Sequence, residues 1–151
     1  MESNEFLPVK GTPTLVLTDD NGTIKHVLDL TNLVTSAGKT YFAQRVLNLT
    51  PATISQIAIG TGTSPTTSAT TSMGNEVGTR ISIQSQTVGG AGNNEITVTG
   101  SFGQNNPISN TNISEVGLFS SSGALLARAT FTPFTKLTTD FLTCIWKIRI
   151  G

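Results

Sequence analysis

From Phe141 to Ile150 the chain reads FLTCIWKIRI, ten residues that alternate side to side. A period of two fits a strand with one face buried, and it leaves no continuous stripe for a helix to bury. Leu142, Cys144, Trp146, Ile148 and Ile150 fall on the side assigned to the core. Phe141, Thr143, Ile145, Lys147 and Arg149 fall on the other. Seven further runs of β character precede it, at residues 14–17, 24–30, 54–59, 80–88, 95–102, 113–119 and 125–131. Turn residues separate them: Asp19-Asp20-Asn21-Gly22, the Gly89 to Asn94 stretch and Ser120-Ser121-Ser122-Gly123. Asn-Gly supplies the positive φ angles of a tight hairpin. One helix interrupts the series over about residues 36–47, capped by Thr35 or Ser36, with Phe42, Val46 and Leu49 on one face.

These elements predict a mainly β chain, an antiparallel β-sandwich or jelly-roll-like domain of about eight strands with one short helix. A chain of 151 residues is the size of one domain and can bury a continuous core without disulfides. The domain is expected over residues 14–151, preceded by an extended arm at 1–13 that carries Phe6, Leu7, Pro8, Val9 and Pro13. Strand Ile54 to Ile59 ends in Gly60-Thr61-Gly62 and launches a Thr/Ser/Gly loop from Thr61 to about Gly74. Ile57 and Ile59 alternate there against Gln56 and Ala58, and Gly60 and Gly62 are read as letting the backbone turn.

That apolar run before a glycine pair is how a phosphate-binding loop begins. Thr63-Ser64-Pro65-Thr66-Thr67 follows, with no lysine and no helix pattern, so no nucleotide site is assigned. The single histidine, His26, lies in a hairpin strand, away from any triad pattern. One histidine and one cysteine cannot supply a Cys/His metal set, and Cys144 reads as a small buried hydrophobe. Asp29, Glu76, Glu95, Glu115 and Asp140 show no paired-carboxylate motif. No catalytic residue, cofactor or metal is therefore expected, and the chain is not read as an enzyme. Glu115, Arg80 and Arg128 either form an ion-pair set between strands or belong to a solvated face.

Charged residues make up 12% of the chain and the formal net charge is zero. A field that weak does not gather a nucleic-acid backbone or an anionic membrane, so neither is an expected partner. The start MESNEFLPVKG lacks the basic and apolar regions of a secretion signal, and no apolar run reaches the roughly 18 residues of a membrane span.

Six segments, in order, carry a resemblance. They are Leu33 to Lys39 (LVTSAGK), Ile54 to Gly62 (ISQIAIGTG), Glu76 to Arg80 (EVGTR), Ile113 to Phe119 (ISEVGLF), Leu125 to Phe131 (LLARATF) and Leu142 to Ile148 (LTCIWKI). Together the chain resembles a family of small tailed-bacteriophage virion structural proteins. The resemblance implies particle assembly, either as a capsid decoration (cement) protein or in a tail adaptor, tail fibre or baseplate. Absence of a stalk or fibrous repeat and a neutral, hydroxyl-rich surface favour the capsid. The expected partners are then a major capsid protein and copies of the chain itself, in a trimer, and the expected location is the virion after synthesis in the host bacterial cytoplasm. Candidate contact residues are Phe6, Leu7, Pro8 and Val9 of the arm and Thr61, Thr63, Pro65 and Met73 of the loop. A host-surface glycan-binding module is the alternative from another class; aromatics at 6% offer few stacking platforms for sugars.

Overall fold

The computed structural model describes residues 8–151. The alternating runs form ten strands in two five-stranded antiparallel sheets, with one helix. In chain order the elements are β1 (Val9–Thr18), β2 (Ile24–Asp29), β3 (Leu33–Val34), α1 (Ser36–Val46), β4 (Ile54–Gly60) and β5 (Glu76–Ser82). Then follow β6 (Ser85–Gly89), β7 (Glu95–Phe102), β8 (Thr111–Ser120), β9 (Leu125–Lys136) and β10 (Phe141–Ile150). Sheet A has the order β2-β1-β10-β7-β6, and sheet B the order β3-β9-β8-β4-β5. The fold is thus the mainly β sandwich that the periodicity predicts.

The core lies between the sheets. Leu15, Leu17, Val98, Phe102, Leu142, Cys144, Trp146 and Ile148 come from sheet A, and Ile57, Ile59, Ile113, Val116, Leu118, Ala127 and Ala129 from sheet B. In β10 the buried side is the one assigned from the sequence, except that terminal Ile150 is 37% exposed. The indole Nε1 of the fully buried Trp146 donates to Asn32 Oδ1 at 3.3 Å, so its polar edge is satisfied inside the core.

Two boundaries and the buried face of the helix differ from the sequence reading. Residues 9–13 are not an arm: β1 begins at Val9 and pairs with β10 from Val9↔Ile150 to Thr18↔Phe141. Pro13 is tolerated because it lies just past the Thr14↔Asp29 end of the β1–β2 pairing, where no ladder partner needs its missing N–H, while its carbonyl accepts from Leu30 N–H. The run 80–88 is two strands in different sheets, since Ile83 N–H donates to Ser55 of β4 whereas Gln84 N–H donates to Thr99 of β7. Such a change of sheet forms a corner of the sandwich. On α1, Thr35 is the N-cap and accepts from Gly38 N–H, but Val46 and Leu49 are 83% and 69% exposed. Only Phe42 of the predicted helix face packs on the core.

The β1–β2 turn is built as its sequence suggests. Gly22 has φ +82°, and Asp19 Oδ1 accepts from Asn21 and Thr23 N–H. A buried polar corner pins the β9–β10 turn. Lys136 Nζ donates to the carbonyls of Gly103 and Asp140, and the Asp140 carboxylate accepts from Lys25 Nζ at 2.8 Å and Leu137 N–H at 2.9 Å. No helix among the described residues is long and apolar enough to cross a membrane.

Candidate functional site

Strand β8 is buried on both faces. Its inward side chains enter the core, while Glu115, Gly117 and Phe119 face the outside of sheet B, as does Arg128 of β9, which lies opposite Gly117. An outward carboxylate and guanidinium would ordinarily be solvated. Here the loop joining β4 to β5 folds back over them, closed at its neck by Thr61 N–H donating to Asn75 O at 2.9 Å.

The Glu115 carboxylate is the loop's anchor. Oε1 accepts from the backbone amides of Gly62 at 2.9 Å and Asn75 at 2.7 Å. Oε2 accepts from Gly74 N–H at 2.8 Å and Arg128 Nε at 2.7 Å. Arg128 Nη1 continues outward to Ser64 O at 2.7 Å and Thr66 Oγ1 at 3.0 Å. Ser114 Oγ donates to Gly62 O, and Ser36 N–H at the start of α1 donates to Ser68 O. The loop is therefore tied at Gly62, Ser64, Thr66, Ser68, Gly74 and Asn75.

This geometry explains the glycines differently from the sequence reading. Neither Gly60 nor Gly62 has a positive φ, so turning is not what requires them. The cause is proximity: a Cβ on Gly60 would collide with Glu115 Oε1 and Asn75 O, and one on Gly62 would lie 2.6 Å from Glu115 Oε1. A Cβ on Gly74 would lie 2.9 Å from Gly62 Cα and 3.1 Å from Arg128 Nη2. Gly62 does present its backbone amide to an anion, as a phosphate loop does, but the anion is the protein's own carboxylate.

Burial alone would raise the Glu115 pKa. The amides of Asn75 and Gly74, the Arg128 guanidinium and the Gly62 amide outweigh it, and the net shift is downward. The carboxylate stays ionised, and with four donors on its two oxygens it is a poor proton acceptor. What the arrangement provides is a shaped surface: Thr63, Ser64, Pro65, Thr67, Ser68, Ala69, Thr71 and Ser72 are exposed on a backbone held from beneath.

Of the candidate contact residues of the loop, Thr63 and Pro65 are exposed, and Thr61 is half-buried, its Oγ1 accepting from Asn75 Nδ2 at 2.6 Å. Met73 is buried instead, packed with Ala58, Phe119 and Leu125, and its sulfur occupies the space above Gly117. It plugs the underside of the loop rather than facing a neighbour. This also buries Ala58, which alternation had placed opposite the core.

At the chain start, Phe6 and Leu7 lie outside the described residues. Pro8 is exposed, and Val9 is half-buried against the core, which removes it from the contact set. Of the three charges considered together, Glu115 and Arg128 pair, whereas Arg80 binds Glu76 at 2.7 Å and lies 3.7 Å from the Phe119 ring centroid. His26 is exposed and tilted against Phe134. Cys144 is fully buried, and burial pushes its thiol pKa far up.

Sequence reasoning missed a groove between α1 and the end of sheet A, lined by Tyr41, Phe42, Val46, Val88, Ile96 and Ile150 among others. Its available signal was Val46-Leu47 followed by Leu49, apolar residues too closely spaced for all to enter the core. Comparison of the chain with family models, curated proteins and solved structures found no match to any of them.

Proposed function

We propose that this chain is a non-enzymatic bacteriophage virion protein, a capsid decoration (cement) protein that binds the outer shell where capsid subunits meet. The observation that carries the reading is the Thr61 to Gly74 loop, a hydroxyl-rich surface fixed before any partner arrives by Glu115 and Arg128. A loop ordered in advance loses little entropy on binding, so modest contacts suffice. The segments that resemble virion proteins support the same reading by where they fall. Five of the six contribute the strands of sheet B, and with them both glycines of the β4 exit, Glu115 and Arg128.

The mechanism is linkage. A protein that binds only the assembled, expanded lattice shifts the equilibrium away from a burst or unexpanded shell by mass action. Self-association into a trimer lets several weak loop contacts act together. A weakly charged surface allows many copies to sit close without mutual repulsion.

Separation of mature particles into heads and tails, with quantification of the chain in each, tests this. Many copies in heads is the expected result. A few copies confined to tails would replace the cement role with that of a tail adaptor, fibre or baseplate component, and absence from both with binding of glycans by the free domain as the next assay would end the virion reading.

A further inference from the structure

The two sheets have four edges, β2 and β6 of sheet A and β3 and β5 of sheet B, and three of them are guarded against another strand. β3 is only two residues long, Leu33 and Val34. On β5 the Asn106 side chain takes both backbone groups of Thr79: Oδ1 accepts its N–H and Nδ2 donates to its carbonyl, each at 2.9 Å. On β2 the register shifts between Leu17↔His26 and Thr18↔Ile24, which leaves Lys25 as a bulged and charged residue. Short edges, bulges and lysines are how sheets avoid pairing with neighbours.

β6 carries none of these devices. Ser85-Gln86-Thr87-Val88-Gly89 has no charge and no proline, and it pairs with β7 without a register shift. Among the described residues, no backbone group bonds to its other side. Gln86 and Val88 stand opposite Val98 and Ile96, and all four line the groove of about 590 Å³ beneath α1. Val88 is 69% exposed, and Val46 on the helix wall 83%. Arg45, the one charged side chain on the lining, donates to Thr50 O at 3.0 Å. An open strand edge beside an apolar groove fits an added β-strand, whose backbone takes the edge and whose alternate side chains enter the groove.

Among the described strands of this chain, only a second β6 offers a free edge to pair with it. Antiparallel pairing about Thr87 sets that residue against its own counterpart, each Gln86 against the other copy's Val88 and each Ser85 against the other's Gly89. No like charges meet, and the two threonines can hydrogen-bond. A twofold axis at this seam lays both helices on the same side of the joined sheets, so each copy closes the open side of the other's groove.

We propose that two copies of this chain join through β6, antiparallel about Thr87, with their grooves closed against each other at the seam. The contact is small. Five residues run about 17 Å, and a sheet and a helix together are about 20 Å deep, so on the order of 350 Å² of each copy is covered. The total falls below the roughly 1,000 Å² of a permanent interface, so the pair is reversible, with a Kd on the order of 10–100 µM. A twofold contact links copies two at a time; it would join trimers rather than build them, and it does not depend on the virion role.

Sedimentation velocity of the full chain from about 1 µM to about 1 mM is the test. The particle mass is expected to double with concentration. Val88→Lys, which gives the exposed edge a lysine guard, is expected to weaken that doubling at least tenfold while the Trp146 unfolding curve stays in place. A mass that never doubles, or doubling of equal strength in Val88→Lys, would overturn the proposal. Thr87→Cys supplies a geometric readout, because Cα atoms of about 4.5–5.5 Å separation across a seam admit a disulfide. Mild oxidation is expected to link two copies in Thr87→Cys but not in Ile24→Cys, on the opposite edge of sheet A. No link in Thr87→Cys, or equal linking in both variants, would contradict the pairing.

Discussion

Glu115 and Arg128, thirteen residues apart on adjacent strands, form a 2.7 Å ion pair with side-chain exposures of 0% and 2%. The two partners are not equivalent. Glu115 also collects three loop amides, whereas Arg128 contributes one donor to the carboxylate and reaches Ser64 and Thr66 with another nitrogen.

That asymmetry sets the first prediction. Glu115→Ala strands a buried guanidinium and three amides together and is expected to cost about 3–5 kcal/mol. Arg128→Met leaves the carboxylate on its three amides and is expected to cost less. Urea unfolding followed by the fluorescence of the single, fully buried Trp146 measures both. Hydrogen exchange at Gly62, Gly74 and Asn75 should rise in the glutamate variant well before global unfolding.

Close approach, not backbone conformation, fixes the loop glycines, and this separates them from glycines with open space around them. Gly62→Ala places a Cβ 2.6 Å from Glu115 Oε1 and 2.7 Å from Gly74 Cα. It is expected to destabilise by about 1–3 kcal/mol. Gly103→Ala meets nothing within 4 Å and should change stability by less than about 0.5 kcal/mol. The same urea titration compares them.

Acid should act through two carboxylates. Burial raises the pKa of Glu115 and of Asp140, but hydrogen bonds and nearby cations more than reverse it, so both end below the ordinary range. A folded value below the unfolded one means stability that is complete above the unfolded pKa and lost as pH falls through the folded value. The melting temperature is therefore expected to fall steeply below about pH 4, and less steeply in Glu115→Gln. Lys136 acts at the other end. Burial lowers its pKa, with Asp140 opposing, so its contribution to stability rises as pH climbs toward the unfolded value near 10.4.

Cys144 should be silent in the native protein. The thiol is buried among core side chains and its pKa is pushed up by desolvation, so it presents no thiolate. A thiol reagent is expected to label it only in denaturant, at a rate that tracks unfolding. Labelling of the folded chain would place Cys144 outside the core.

Short-range patterning made the strands legible. Alternation in β10 and Asn21-Gly22 in the first turn are local signals, and the structure follows both. The helix cap was likewise readable, because Thr35 bonds three residues ahead. What was not legible depends on distant partners. Gly62 lies 53 residues from the carboxylate that demands its small size, and Met73 finds its cover over Gly117 only after the loop folds back. The break in 80–88 was hidden for the same reason: Ile83 and Gln84 bond to strands of different sheets, and no local residue announces it. Glu115 and Arg128 were visible as a candidate pair, but their hold on the loop required knowing which strands are neighbours.

In the proposed role, the loop held by Glu115 is the surface that engages the shell. Thr63→Arg/Pro65→Glu alters only exposed side chains of that loop and should leave the unfolding free energy within about 0.5 kcal/mol of the parent. Binding of the purified chain to expanded shells that lack it is the direct measurement. The parent is expected to bind and to raise the temperature at which shells disrupt, and the folded loop variant to bind at least tenfold more weakly. Equal binding by parent and variant, or no binding by either, would contradict it.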